Sequence, residues 1–347
     1  RPEAVGAGRG LGLHVLWIGG ETLPVEAIMA AVQGPLTWER VPADEAMVRE
    51  RIGQADVVVT KVFTPAMGER ASRLRFLQCY TNGVDDLDWS AIGPEVVVAR
   101  VFGHEVAVAE HALALWLAVA KRVVSNHRKL VAHDWSGGFV AGGPFTSEVS
   151  GSTALAIGMG AIAEAFVGLT QGFGLRWLAV RQHPERGAPP GVEVAGVEAL
   201  PRMWPQADVI LVAAPLTPST RHLIGRELLE RSKSGAILVN VARAGLIDHQ
   251  ALYEALRSGK LAGAGLDVFP HAPRRAGEHP APFGALPLEQ LENVVVTPHV
   301  AAWTARTRER RMQQLVANLS AYACGGTIRY RVARPSSEGQ TRSRDHA

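Results

Sequence analysis

Cysteine is almost absent from this chain: only Cys79 and Cys324 occur among 347 residues. That excludes a secreted scaffold built on disulfides and points to a reducing compartment, so a cytoplasmic location is expected. Long apolar runs are missing too. The longest, Ala112–Ala120, falls far short of the roughly 20 residues needed to span a bilayer. It reads as part of a buried helix, and no membrane partner is expected. Residues Arg1–Gly10 are rich in Gly and Ala, lack an apolar signal core and do not begin with Met, which leaves the natural start open. A strong excess of one charge is also lacking. The net charge is +3, and five Arg from Arg329 onward, set against Glu338 and Asp345, supply all of it. The body is therefore near neutral, which argues against a dedicated nucleic-acid binder with a basic face. The ends, 1–10 and 332–347, are expected to be disordered tails.

What is present fits an enzyme-sized α/β protein. Apolar residues make up 47% of the chain and Gly is abundant at 36 residues, enough for sizeable cores and many tight strand-to-helix turns. Short apolar runs alternate with helical patterns, the signature of parallel sheets covered by helices on both faces. Strands are predicted at His14–Ile18, Leu36–Val41, Asp56–Thr60, Phe76–Cys79 and Val96–Arg100. After a long apolar helix from Val106 to about Val124 and a polar, Gly-rich linker, a second set is predicted. Its members are Ala154–Ile157, Arg176–Val180, Val209–Val212, Ala236–Asn240, Gly263–Leu266 and Val294–Val296. Asp44 is the expected N-cap of the helix that follows it. The last helix, Thr304 to Tyr322, is long enough to reach back onto the first unit.

Chemistry concentrates where the strands of the second set end. Gly158-Met-Gly160-Ala161-Ile162-Ala163 lies between a strand and a helix. In a dinucleotide site the first Gly makes the turn and the second lets the backbone approach the pyrophosphate. The third position needs a small residue for packing. The alternative is simply a tight turn of small residues; the strand–turn–helix context favours the cofactor. Arg181 ends the next strand, where an acidic residue would bind the 2′-hydroxyl of NAD. Its fork can instead grip the 2′-phosphate of NADP, so NADP is favoured over NAD. The alternative is a solvated Arg with NAD held by other contacts. Pro215, Val241, Arg243, Asp267 and His299 follow at successive strand ends. Each has an ordinary structural reading: a surface ion pair for Arg243, a cap for Asp267, a satisfied core histidine for His299. Together they favour a site for a small-molecule substrate, with no metal expected.

Several segments carry a resemblance as a set: Gly83-Val-Asp85-Asp-Leu-Asp88, Val108-Ala-Glu110-His-Ala-Leu113, Pro215-Leu-Thr-Pro218, Asn240–Gly245, Gly263–Phe269 and Thr297-Pro-His299. From about Val57 to Gly325 the chain resembles the D-isomer-specific 2-hydroxyacid dehydrogenases. The resemblance implies two doubly wound domains of Rossmann or flavodoxin-like type, with the cofactor domain inserted into the substrate domain. The substrate domain would comprise 11–105 and 300–328, the dinucleotide-binding domain 106–299. It implies hydride transfer between NAD(P) and a 2-keto acid, its D-2-hydroxy acid or a related carbonyl substrate. Arg243 would polarise the substrate, His299 would exchange the proton, and Asp267 would orient the nicotinamide. The Asn82, Gly83 and Val84 segment would hold the substrate carboxylate through its amides. A homodimer paired through the Val106–Val124 helix is also implied.

The sequence departs from the family at two points. The Glu usual five residues beyond Asp267 is Ala272, and Ala244 replaces the Gly usual after the catalytic Arg. Glu278 is either a displaced acid or a solvated loop charge. The missing Glu motivates a second reading, a catalytically weakened member acting by binding or regulation, as the corepressors with this fold do. Retention of both Arg243 and His299 favours the enzyme.

Overall fold

The computed structural model describes residues 12–273 and 277–334. Of the tails expected at 1–10 and 332–347, residues 1–10 and 335–347 lie outside the described residues. The chain forms two units. One contains the N-terminal part to Gly103 and resumes at Ala305; the other is His104–Thr304.

The first unit carries β1 (Leu13–Ile18), α1 (Val25–Ala31), β2 (Leu36–Val41), α2 (Glu45–Arg51), β3 (Val57–Thr60), α3 (Pro65–Gly68), β4 (Phe76–Cys79) and β5 (Val97–Ala99). Its strands form one parallel sheet in the order β2-β1-β3-β4-β5. Alternate side chains feed opposite faces: Leu16, Val58 and Leu77 enter one core, and Val15, Trp17, Val57 and Phe76 the other. Burial on both faces explains why β3 reads as an unbroken Val run. Asp44 caps α2, as expected, by accepting from the Met47 amide at 3.1 Å.

The second unit contains α4 (Glu105–Ala120), α5 (Val123–Val131), β6 (Thr153–Ile157), α6 (Ala161–Leu169), β7 (Arg176–Val180) and β8 (Val192–Ala195). It continues with α7 (Leu200–Met203), β9 (Val209–Val212), α8 (Arg226–Glu230), β10 (Ile237–Asn240), α9 (His249–Arg257), β11 (Gly263–Leu266) and β12 (Val294–Val296). All pair in parallel in the order β12-β11-β10-β9-β6-β7-β8. One face is covered by α4 and α6 through Leu115, Trp116, Val119 and Phe166 against Ala154, Ala156 and Ala179. The small strand residues leave room for the large helical ones. The chain then returns to the first unit as α10 (Ala305–Ala323). Leu315 and Leu319 of α10 pack in the first unit's core, and buried Asn318 donates to Gln78 Oε1 at 2.9 Å. The α/β, doubly wound reading is therefore borne out.

Three local expectations need correction. The long helix expected from Val106 to Val124 breaks at Arg122, which adopts φ +53°. Glu292 anchors the break, accepting from Ser125 Oγ at 2.6 Å and Lys129 Nζ at 2.8 Å, with Arg122 at 3.5 Å. Strand β8 was not foreseen in the sequence. Residues 332–334, expected in a free tail, are held: the Val332 amide donates to Val98 O at 2.8 Å, and Arg334 donates to the carbonyls of Trp89, Ile92 and Gly93. Among the described residues no helix is long and apolar enough to cross a membrane.

Candidate active site

Register in the second sheet gathers the residues singled out in the sequence. Ile157 is aligned with Val180 and Val212, Val212 with Asn240, Asn240 with Leu266, and Leu266 with Val296. The residues that follow these positions, Gly158, Arg181, Val241, Asp267 and Thr297, thus leave the sheet at one level on one edge. Strand order reverses between β6 and β9, the place where a doubly wound sheet opens a ligand crevice.

Gly158 turns the chain out of β6 at φ +91°. A Cβ there would lie 2.8 Å from the backbone nitrogen and Cα of Ala214, beyond β9. Conformation and close approach both exclude a side chain. Gly160 is different. It is extended, caps α6 without a side-chain bond, and a Cβ added to it would meet no protein atom within 4 Å. The amides of Ala161 and Ile162 therefore begin a helix whose first N–H groups have no capping side chain, beside space that the protein leaves open at Gly160. Ala163 is fully buried, as the small third position requires. This cradle fits the pyrophosphate of a dinucleotide.

Arg181 follows β7 directly. Its amide donates to Ala195 O at 3.0 Å and its Nη1 to Gly187 O at 2.8 Å, which folds the half-buried side chain back over the loop that follows the strand. Beyond β9, exposed Pro215 is fixed by a hydroxyl turn in which Thr220 Oγ1 donates to Pro215 O at 2.8 Å.

Beyond β10, buried Asn240 staples the turn that presents Arg243. Its Oδ1 accepts from the Ala242 amide at 3.0 Å and its Nδ2 donates to Arg243 O at 3.1 Å. Val241 is buried within this turn, and Arg243 is half-buried with Nη1 on Ala242 O at 2.9 Å.

Asp267, 1% exposed, organises the neighbouring strand end. Its Oδ1 accepts from Thr297 Oγ1 at 2.7 Å and the Val300 amide at 2.9 Å, and its Oδ2 from the Ala301 amide at 2.9 Å. These bonds clamp the turn in which His299 sits at φ +57°, a left-handed conformation uncommon outside Gly. Held strain of this kind concentrates at functional sites. The His299 side chain keeps a solvent-facing edge. Partial burial of the ring lowers its pKa below the usual imidazole value; Asp267 opposes that shift and Arg243 adds to it. Among the described residues, Asp267 is the only carboxylate acting on this imidazole. Ala272 and Glu278 are both exposed.

Asn82, Gly83 and Val84 belong to the first unit, in the loop beyond β4. Thr81 Oγ1 donates to Gly83 O at 2.9 Å and the Leu87 amide to Val84 O at 3.2 Å. Asn240, Thr297 and His111 were not singled out as site residues in the sequence. Their contribution is to hold other residues, and only their presence inside the quoted motifs hinted at it.

Comparison with known proteins agrees with this geometry. Residues 113–301 match the family model of the D-isomer specific 2-hydroxyacid dehydrogenase NAD binding domain. A glyoxylate reductase of Korarchaeum cryptofilum is 33% identical over 300 residues, covering 83% of this chain and 85% of that protein. A D-3-phosphoglycerate dehydrogenase of Methanocaldococcus jannaschii is 34% identical over 266 residues, covering 75% of this chain; the match spans 48% of that longer protein. Among solved structures, a Thermus thermophilus protein has 31% identity and a TM-score of 0.75, covering 92% of this chain and 100% of its own. D-2-hydroxyisocaproate dehydrogenase has 25% identity and a TM-score of 0.76, covering 92% of this chain and 99% of its own. The chain belongs to the D-isomer-specific 2-hydroxyacid dehydrogenase family and is an NAD(P)-dependent oxidoreductase acting on CH–OH groups.

Proposed function

We propose that the chain reduces a small 2-keto acid to its D-2-hydroxy acid, with Arg243 and His299 as the catalytic residues and NADPH as the preferred cofactor. The observation that carries this reading is that Arg243 and His299 leave the same edge of the sheet after β10 and β12, on either side of Asp267 at the end of β11, with the Arg243 charge lowering the imidazole pKa. When bound, the nicotinamide supplies the hydride. As hydride adds to the carbonyl carbon, the C=O electron pair moves onto oxygen. Arg243 stabilises that developing charge, and a protonated His299 ring nitrogen donates its proton to the same oxygen. In the reverse direction neutral His299 takes the hydroxyl proton. Asp267 keeps the His299 turn in place. Gly158 and Gly160, the first amides of α6 at Ala161 and Ile162, and the Pro215 and Val241 turns form the cofactor cradle. Asn82, Gly83 and Val84 are assigned to the substrate carboxylate. The glyoxylate reductases among its relatives make glyoxylate the first substrate to try.

The NADPH preference rests on Arg181, whose fork retains donors beyond its bond to Gly187 O. A cytoplasmic homodimer completes the proposal, but on different residues from those first expected. Helix α4 buries Val108, Ala112, Leu115, Trp116 and Val119 within its own unit, so its apolarity needs no partner. Trp135, Phe139, Val140 and Phe145 are instead 70%, 98%, 97% and 102% exposed in the segment after α5. A cluster of large exposed apolar side chains marks an interaction surface.

The deciding experiment is a cofactor-oxidation screen with NADH and NADPH against a panel of 2-keto acids that includes glyoxylate. Turnover of at least one keto acid is expected, and it should disappear in His299→Ala and Arg243→Ala. Parental rates in either variant would remove that residue from the mechanism.

A further inference from the structure

His111 lies on α4, a helix whose other inward residues are apolar. Its Nε2 is 2.8 Å from Thr297 Oγ1 and 3.6 Å from Asp267 Oδ1. Thr297 Oγ1 is in turn 2.7 Å from Asp267 Oδ1. The threonine hydroxyl has one proton, and an ionised carboxylate can only accept. That proton goes to Asp267, so the hydroxyl receives from His111, and Nε2 must carry a hydrogen. The result is a directed chain: His111 Nε2–H to Thr297 Oγ1, and Thr297 O–H to Asp267.

We propose that His111 is a positioning residue for the reaction, holding the His299 turn through Thr297 and Asp267. The inference rests on the proposed role of His299. Asp267 already fixes the turn on one side through the Val300 and Ala301 amides. The other side of the turn is the Thr297 side chain, and His111 ties it to a helix packed on the sheet. The His299 amide also donates to Thr297 O at 2.8 Å, so a shift of Thr297 is passed directly to the left-handed residue. Hydrogen bonds in one chain support one another, which predicts that breaking either link releases most of the whole.

Two measurements test this. The first is a double-mutant cycle on kcat with His111→Phe, Thr297→Val and the double variant. A lost hydrogen bond at such a position costs on the order of tenfold. Each single variant should lower kcat by about that factor, with cofactor Kd unchanged, and the double variant should be no worse than Thr297→Val. His111→Gln, which restores an N–H donor, should recover most of the loss. Independent, multiplying losses, or a Gln variant as poor as Phe, would overturn the inference. The second is histidine-labelled NMR of the parent and Thr297→Val proteins, which depends neither on turnover nor on the folding of His111→Phe. His111 should carry hydrogen on Nε2, with its signal shifted when Thr297 is replaced. A bare Nε2, or an unchanged signal, would overturn the chain even if His299 proves catalytic. Conversely, parental turnover in His299→Ala would sink the proposed mechanism while leaving the NMR result standing.

Discussion

Asp267 holds His299 without touching its ring through a hydrogen bond. Its carboxylate takes the amides of Val300 and Ala301, the two residues after His299, and the hydroxyl of Thr297, two residues before it. Among the described residues, the same carboxylate is the one opposite charge acting on the imidazole. Asp267→Asn removes the charge and can keep the two bonds to Oδ1, while its amide nitrogen cannot accept from the Ala301 amide. Without it the His299 pKa falls further, because only the effects that lower it remain. The protonated fraction at neutral pH then shrinks, and reduction at pH 7 should fall about tenfold or more. A pH–rate profile checks this; an unshifted falling limb would show that Asp267 acts only through shape.

The two glycines of the cofactor turn should fail differently. Gly158→Ala must accept φ +91° and a contact of 2.8 Å with backbone atoms of Ala214, so a stability loss of about 1–3 kcal/mol is expected. Gly160→Ala meets no protein atom within 4 Å. It should stay within about 1 kcal/mol of the parent yet bind cofactor roughly tenfold more weakly, because the methyl enters the pyrophosphate space. Thermal unfolding and fluorescence titration separate the two; equal stability losses would contradict the assignment.

Most of the second sheet was legible in sequence because its strands are continuous apolar runs followed by Gly, Arg, Pro or Asp where the chain leaves the sheet. Strand β8 was not. Val192-Glu193-Val194-Ala195 sits at the sheet's edge with Glu193 exposed and the other three only half-buried, so it offers a short run broken by a charge rather than a continuous apolar one. The break at Arg122 was also hidden. Arg is a good helix former, and the Glu292 carboxylate that fixes the break comes from far along the chain. Arg243 and His299 could be singled out from their motifs. The services of Asn240, Thr297 and His111 were not, since each is a hydrogen bond to a turn that exists only after folding.

Cofactor choice should invert on one substitution. In the parent, NADPH should bind more tightly than NADH through charge-assisted bonds from Arg181 to the 2′-phosphate. Such bonds are worth roughly ten- to hundredfold in Kd. Arg181→Asp replaces the donor with an acceptor that repels phosphate and suits a 2′-hydroxyl, so NADH should become the tighter ligand. Equal affinities in the parent, or an unchanged preference in the variant, would refute the proposed role.

The assembly prediction turns on the exposed segment after α5. Light scattering at micromolar concentration should show a dimer. Phe139→Ser with Phe145→Ser should shift it toward monomer, because each Phe would otherwise bury about 150–250 Å² in an interface. Neither side chain is part of a core, with exposures of 98% and 102%, so monomer stability should be nearly unchanged. A parental monomer would end this proposal, as would a dimer indifferent to both substitutions.

The last prediction concerns the acid that Ala272 replaces. Reduction needs His299 protonated, and the surroundings lower its pKa. The reduction rate should therefore fall as pH rises through a value below the ordinary imidazole pKa of about 6.5. Oxidation needs the neutral ring, so its rate should rise through the same value. Ala272→Glu would add a carboxylate where related enzymes carry one. An opposite charge within reach raises an imidazole pKa by about one unit or more, so both limbs should move to higher pH and reduction at pH 7 should increase. Glu278 is exposed and is not among the charges acting on His299, so Glu278→Gln should leave the profile in place. The check is three pH–rate profiles in each direction: parent, Ala272→Glu and Glu278→Gln. If Glu278→Gln abolishes reduction while Ala272→Glu does nothing, Glu278 is the relocated partner of His299, and a loop movement on substrate binding must bring it there.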